Sequence, residues 1–280
     1  MSVSITTCHP LTLTRSIPDF PIGNLRLSEH QAALVGNNDI TVDPPAWVEP
    51  ADYHAFQESG CDSMINELTG ETILWAGESA DTNDAYTASD SFLIHYPWDL
   101  LRANENHVSF LKDEIIEGDL HPAAHVQGVL QFGEGSRILP GVVIEGNVII
   151  GKGCKIGPNC HLRGNTSIGD GCHIGQSVEI KNSVILSNTN VGHLSYVGDS
   201  ILGERVNFGA GTMVSNLRHD GSNHQSMVEE VLIDTGRRKF GTVIGDGVHT
   251  GIQTSIYPGR KMWPGTTTKP AQVVDQDIVQ

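Results

Sequence analysis

From Leu120 onward a large apolar residue returns at every sixth position: Leu120, Val126, Phe132, Ile138, Ile144, Ile150, Ile156, Leu162, Ile168, Ile174, Ile180 and Leu186, twelve in succession. Glycine follows it at Gly133, Gly151, Gly157, Gly169 and Gly175. The frame then slips by one residue and continues through Val191 and Val197. It slips again to Leu202, runs on through Phe208 and Val214, and resumes at Ile244, Thr250, Ile256 and Met262. A period of six matches neither the 3.6-residue turn of a helix nor the two-residue alternation of a strand. It fits a short strand plus a tight turn, repeated. Three hexads close a triangular coil of 18 residues, and stacked coils set parallel strands about 4.8 Å apart. The apolar residue fills the prism, and glycine permits the turn backbone. Residues 120–268 therefore read as a solenoid in which each coil touches only its neighbours. Cys154, Cys160 and Cys172 each fall four residues after an apolar step. That is an inward slot for a small residue, which a free cysteine fills.

The rest of the chain lacks this period. Residues 1–119 carry turn formers, acids and short apolar pieces such as TILWA (72–76), which predicts a small irregular α/β region. YPWDLLRANENHVSFL (96–111) reads as a helix leading into the solenoid. Pro97 suits its first turn, and Trp98, Leu100, Leu101 and Val108 supply an apolar face. Residues 217–242 interrupt the repeat and read as a long loop insertion, and 269–280 read as a tail.

Charge sharpens the division. The formal net charge is −16. Residues 1–119 hold 20 acids against 4 bases, whereas residues 120–280 hold 13 of each. No basic face for nucleic acid is evident. No apolar run is long enough for a membrane span, and MSVSITTCHP does not read as a signal peptide. Five scattered cysteines without a CxxC pair argue against a disulfide framework or a zinc knuckle. A reduced, cytoplasmic protein is the expectation.

Two spacings bear on chemistry. Arg163 and Lys181 each follow an apolar step and stand one 18-residue coil apart, so they stack on one corner about 5 Å apart. Adjacent cations repel unless neutralised. No acid occupies the same slot between them, so a bound anion such as a phosphate is one explanation, and two side chains splayed into water is the other. His193 and Ala210 also stack, three hexads apart in the slipped frame. A histidine beside Gly192 and Ala210 suits a general base near neutral pH. By residue type alone His121, His125, His161, His173, His219, His224 and His249 stay open as alternatives.

The segment VEIKNSVILSNTNVGHLSYVGDSILGERVNFGAGTMVSNLRHDG (178–221), with HLRGNTSIG upstream, resembles the acetyltransferase half of the bifunctional N-acetylglucosamine-1-phosphate uridyltransferase/glucosamine-1-phosphate acetyltransferases. The resemblance covers roughly residues 120–268. It implies a left-handed parallel β-helix, against the usual right-handed crossover rule. It further implies a homotrimer with sites between subunits, and an acetyl-CoA-dependent N-acetyltransferase that needs no metal. The acceptor it implies is an amino-sugar-1-phosphate, glucosamine-1-phosphate or galactosamine-1-phosphate. By the same resemblance His193 is the base. Arg163 and Lys181 hold the sugar phosphate, and Tyr196, Asn207 and Asn216 line the sugar pocket. Ala210 offers a backbone N–H to the acetyl oxygen. Ala210, Ile252, Arg237 and Arg238 form the expected coenzyme set; the alternative for the arginine run, with Lys239, is a solvated loop.

The chain departs from the pattern at Leu217–Arg218, where the family has tyrosine after the asparagine, and its longer DTGRRKFG insertion resembles the archaeal-type sugar-1-phosphate nucleotidylyltransferase/acetyltransferases. Residues 1–119 show no glycine-rich nucleotide loop. IPDFPIGNLRLSEH (17–30) and YPWDLLRANE (96–105) nevertheless resemble segments flanking the nucleotidyltransferase domain, so a remnant without nucleotidyl transfer is expected. Two other classes stand beside this reading. One is a hexapeptide carbonic anhydrase with histidine-bound zinc; the other is a non-catalytic trimeric scaffold or sugar-nucleotide-binding protein.

Overall fold

A computed structural model describes residues 5–279. Three parallel sheets form the walls of a left-handed β-helix. The first face has six strands, from Asp119–Leu120 to Asn207–Phe208. The second has eight, from His125–Gln127 to Val273–Val274. The third also has eight, from Ile115–Ile116 to Arg260–Met262. The ladder thus starts before residue 120 and runs into the segment read as a tail.

Register follows the apolar ladder. Ile138, Ile156, Ile174, Val191 and Phe208 stack inside the first face; Ile144, Leu162, Ile180, Val197 and Val214 stack inside the second. On the third face the stack is Phe132, Ile150, Ile168, Ile185, Leu202, Ile244 and Met262, none more than 2 % exposed. This corrects the twelfth hexad step. Ile168 pairs with Ile185, not Leu186. The slip therefore lies between Ile180 and Ile185, and Leu186 turns outward into a second apolar cluster. Cys154, Cys160 and Cys172 sit in the prism as expected, the thiols of Cys154 and Cys172 donating to Gly169 O and Leu186 O.

The N-terminal region is mixed α/β. A four-stranded sheet is built from Ile40–Val42, Thr72–Ala76, Ser63–Asn66 and Ala85–Ala88 in that spatial order. Beside it lie α1 (Leu27–Val35), α2 (Pro50–Ser59) and α3 (Pro97–Ser109). Helix α3 starts where Pro97 allows, and the Asp99 carboxylate accepts the N–H groups of His95 and Tyr96 (3.0 and 2.8 Å). It lies along the outside of the third face. The cluster that joins them includes Phe20, Trp98 and Leu101 on one side and Val184, Leu186, Ile201 and Val243 on the other. Each such leucine or isoleucine contributes about 2 kcal/mol by leaving water. Side-chain amides lace the seam: Asn24 donates to Ile168 O (2.8 Å), Asn104 to Asn165 O (3.3 Å) and Asn147 to Val108 O (3.0 Å).

The insertion at 217–242 is more ordered than a long loop. It forms an antiparallel hairpin, Gln225–Val228 with Val231–Asp234, turned by Glu229 and Glu230 at φ 47° and 67°. Buried Lys261 on the third face donates its Nζ to Met227 O (2.6 Å), which fixes the hairpin against the solenoid.

Candidate active site

The corner between the second and third faces carries the expected cations. Glu145, Arg163, Lys181 and Gly198 occupy equivalent positions on successive coils. The turn residue that follows is glycine in the lower coils, Gly146 and Gly164. It becomes Asn182 and then Asp199, at φ 48° and 51°. Asparagine and aspartate tolerate that left-handed backbone better than other side-chain-bearing residues, and here they bring polar groups to the corner. At this corner the inward step shortens to five residues, Ile180 to Ile185 and Val197 to Leu202.

Both cations have carboxylate partners. Arg163 donates Nε and a terminal nitrogen to Glu179 Oε1 (2.7 and 2.6 Å). Lys181 Nζ meets both oxygens of Asp199 at 2.8 Å, with the two side chains 15 % and 3 % exposed. The repulsion that made a bound anion attractive is therefore relieved from within the chain. Glu179 reaches Arg163 diagonally from the next coil, and Asp199 stands one slot beyond the position above Lys181.

Asp199 also joins the cations to the expected sugar-pocket residues. Asn216 Nδ2 donates to Asp199 Oδ2 (2.5 Å) and approaches the Tyr196 hydroxyl (3.0 Å). Burial, with the nearby Asp199 and Glu179 charges, pushes the Tyr196 phenol up. Its hydroxyl lies where a side chain on Gly198 would go: a Cβ there would meet Tyr196 Oη at 2.5 Å and Asn216 Nδ2 at 2.6 Å. His224 on the insertion holds the Asn216 backbone carbonyl through Nε2 (3.0 Å), and burial lowers its pKa. From α3, Glu105 accepts from Asn182 Nδ2 (2.5 Å) and from Arg237 (2.9 Å). Helix, solenoid and insertion thus meet at this corner.

His193 ends the first-face strand Asn190–His193, at the corner shared with the second face. Gln176, His193, Ala210 and Ile252 form a column at the corner with the first face, shown by the bonds Leu194 N to Gln176 O, Gly211 N to His193 O, Gln253 N to Ala210 O and Ala271 N to Ile252 O (2.8 to 3.1 Å). Pro140 and Pro158 fill the same slot lower down, with Gly141 N bonded to Ala123 O and Asn159 N to Pro140 O. Proline in two coils shows that the slot tolerates a missing N–H at those positions. The column is open: His193 is exposed, Leu194 and Ile252 are 60 % and 54 % exposed. Leu194 has φ 50°, a costly conformation for a leucine. Asn207 stands on the first face between Asn190 and His249, apart from Tyr196 and Asn216. Arg238 is exposed.

Similarity to known proteins takes in both corners. Residues 144–264 match the family model described as the GMPPB C-terminal domain. A bifunctional sugar-1-phosphate nucleotidylyltransferase/acetyltransferase from Sulfurisphaera tokodaii is 41% identical over 185 residues, 66% of this chain and 46% of that protein. The bifunctional protein GlmU of Methanococcus aeolicus is 40% identical over 185 residues, 66% of this chain and 44% of the relative. Over its C-terminal part the chain is similar, at about 40% identity, to these bifunctional GlmU-type nucleotidyltransferase/acetyltransferases. It spans about half the length of the curated relatives it matches. Among solved structures, a polysialic acid O-acetyltransferase, OatWY, covers 56% of this chain and 81% of its own at 16% identity and a TM-score of 0.25. A point mutant of GDP-perosamine N-acetyl transferase from Caulobacter crescentus, solved with CoA and GDP-perosamine, covers 63% of this chain and 54% of its own at 14% identity and a TM-score of 0.22.

Within this hexapeptide-repeat chain the structure gathers Arg163, Lys181, Tyr196, Asn216 and Arg237 at one corner, and His193, Ala210 and Ile252 at the other. Leu217 and Arg218, where the chain departs from the motif, line a cleft of about 650 Å³ with His219, His224, Tyr257 and Arg260. Sequence reasoning missed Glu179, Asp199, Asn182 and Glu105. Asp199 had a signal, since it lies 18 residues after Lys181. Glu105 had none, being 132 residues from Arg237. His161 and His173 lie on the second and first faces respectively. Among the described residues no helix is long and apolar enough to cross a membrane.

Proposed function

We propose that the chain transfers an acetyl group from acetyl-CoA to the amine of an amino-sugar-1-phosphate, in the cytoplasm, as a homotrimer with sites between subunits. Arg163 and Lys181 take the phosphate, with Glu179 and Asp199 holding both cations in place and yielding part of their hydrogen bonding to it. Tyr196 and Asn216 contact the sugar. His193 removes a proton from the amine as it attacks the thioester carbonyl, the Ala210 N–H stabilises the oxyanion, and the C–S bond then breaks to release coenzyme A. Ile252 borders the acyl group, and Arg237 and Arg238 are placed for coenzyme phosphates. Nucleotidyl transfer is not part of this reading.

The observation that carries the reading is the in-register pairing of Arg163 with Lys181 at one corner of the second face, with an open histidine at the corner where that face meets the first. His193 and Gly198, the residue paired with Lys181, stand five positions apart along a chain that turns at Leu194 (φ 50°) before the strand Tyr196–Gly198.

The test is release of free coenzyme A from acetyl-CoA with glucosamine-1-phosphate and galactosamine-1-phosphate offered separately. The expected result is turnover with one of them, falling about 100-fold or more in His193→Ala. Turnover that survives in the variant moves the base elsewhere. No turnover with either sugar by the folded wild type favours the scaffold reading.

A further inference from the structure

Away from both corners, the N-terminal region contains a cavity of about 360 Å³ between the start of α2 and the facing sides of α1 and α3. Its lining includes Trp47, His30, His107 and Phe110, with Glu49 inside and Lys112 in the wall. Most of the aromatic side chains are fixed. The His30 ring packs edge-on to Trp47 (5.3 Å between centroids) and to His107 (4.6 Å), and His30 Nε2 bonds Ile22 O at 2.8 Å. Phe110, by contrast, is 69 % exposed. The volume lies in the range of small-molecule sites, and the composition, apolar and aromatic with few polar groups, is that of such sites.

Glu49 is the unusual member. It is 5 % exposed, and it forms no ion pair with any described residue. Its Oε1 accepts two neutral donors, Trp47 Nε1 at 2.6 Å and Asn106 Nδ2 at 2.5 Å. Its Oε2 accepts none among the described residues. Burying a carboxylate without a cation costs several kcal/mol by order of magnitude, and such groups in proteins are ordinarily paired. The two histidines do not supply the missing charge: burial lowers both, His107 to about 4. The surrounding region is strongly acidic, with 20 acids and 4 bases in residues 1–119.

We propose that this cavity binds an organic ammonium group, placed against Glu49 Oε2 and over the Trp47 and Phe110 rings. A carboxylate supplies the charge, and aromatic faces attract a cation that has shed water. Lys112, an exposed residue of the wall, would turn its ammonium outward from the bound charge.

The test uses the full chain and two probes of the same shape: choline, and its uncharged isostere 3,3-dimethylbutan-1-ol. Binding is read from the indole N–H signal of Trp47, which reports on its bond to Glu49, and from calorimetry. Choline should shift that signal in the millimolar range or below. The isostere should bind at least about tenfold more weakly, the ratio that roughly 1.4 kcal/mol of cation recognition gives. Glu49→Gln should reduce choline binding to the level of the isostere. Phe110→Ala, at an exposed position where folding is not at stake, should weaken choline binding severalfold. Equal binding of the two probes, choline binding undiminished in both variants, or no Trp47 shift at any soluble choline concentration would each overturn the proposal.

Discussion

At the residue scale the cation corner depends on what glycine leaves room for. Gly198 is required because the Tyr196 hydroxyl and the Asn216 amide occupy the space of its missing side chain. Gly198→Ala should keep the solenoid, since the position is an ordinary strand slot. It should push Tyr196 and Asn216 away from Asp199. In the coenzyme A release assay the expected effect is a rise in KM for the amino-sugar phosphate of about tenfold, some 1.4 kcal/mol, with a smaller change in kcat. An unchanged KM would show that Tyr196 and Asn216 do not contact the acceptor. The cations were legible in the sequence because their spacing equals one coil. Their carboxylate partners were less legible, because in a solenoid the diagonal and turn positions are as close as the identical slot, and a one-residue slip moves Asp199 from that slot to the turn. Leu194, beside the expected base, also had no warning: a left-handed φ is invisible in a residue type that normally avoids it.

At the scale of elements, the site joins three pieces of chain with separate origins. Glu105 on α3 ties Arg237 of the insertion to Asn182 at the corner. These side chains are only partly exposed, 19 % for Arg237 and 21 % for Glu105, so removing one charge leaves the other poorly solvated, which costs more than breaking a surface bridge. Glu105→Gln keeps the shape and removes the charge. It should speed hydrogen exchange in the hairpin Gln225–Asp234 while leaving the prism strands protected. Unchanged exchange there would mean that Lys261 and the apolar contacts of Phe240 suffice to anchor the insertion. The hexad period revealed the solenoid because each coil repeats one environment. The insertion has no period, and its order comes from contacts with distant segments, so it read as a loop. The frame slips carried more information than their size suggested: both fall at the corner where Lys181 and Asp199 meet.

At the scale of the molecule, the N-terminal region is welded to the third face by one apolar cluster and a row of asparagine amides. Helix α3 was legible from Pro97 and its apolar stripe. Its docking was not, because Leu186, an outward residue of the third face, fell on the six-residue step and looked like a member of the repeat. The N-terminal region itself holds groups that resist protonation. His107 is lowered from 6.5 to about 4 by burial and by His30. The unfolded chain takes up that proton first, so stability is complete above about pH 6.5 and is lost as pH falls toward 4. This amounts to roughly 3 kcal/mol at 1.36 kcal/mol per pH unit, with His30 adding in the same direction. Denaturant titrations at pH 7 and pH 4.5 should show the loss, and His107→Phe should flatten it. An equal pH dependence in that variant would assign the loss to other groups.

The stacked corners also restrict how such a chain can change in length. Most coils span 18 residues, and the two shortened corners absorb a single missing residue each. Loss of a whole coil would leave every later side chain on its own wall. Removal of a few residues elsewhere would rotate the rest of the chain, carrying His193 or Lys181 onto the wrong wall while keeping its neighbours in sequence. Length variants of this protein are therefore expected to come in whole-coil quanta, or to fall in the hairpin between Leu217 and Thr242, where the prism is not interrupted by what is added.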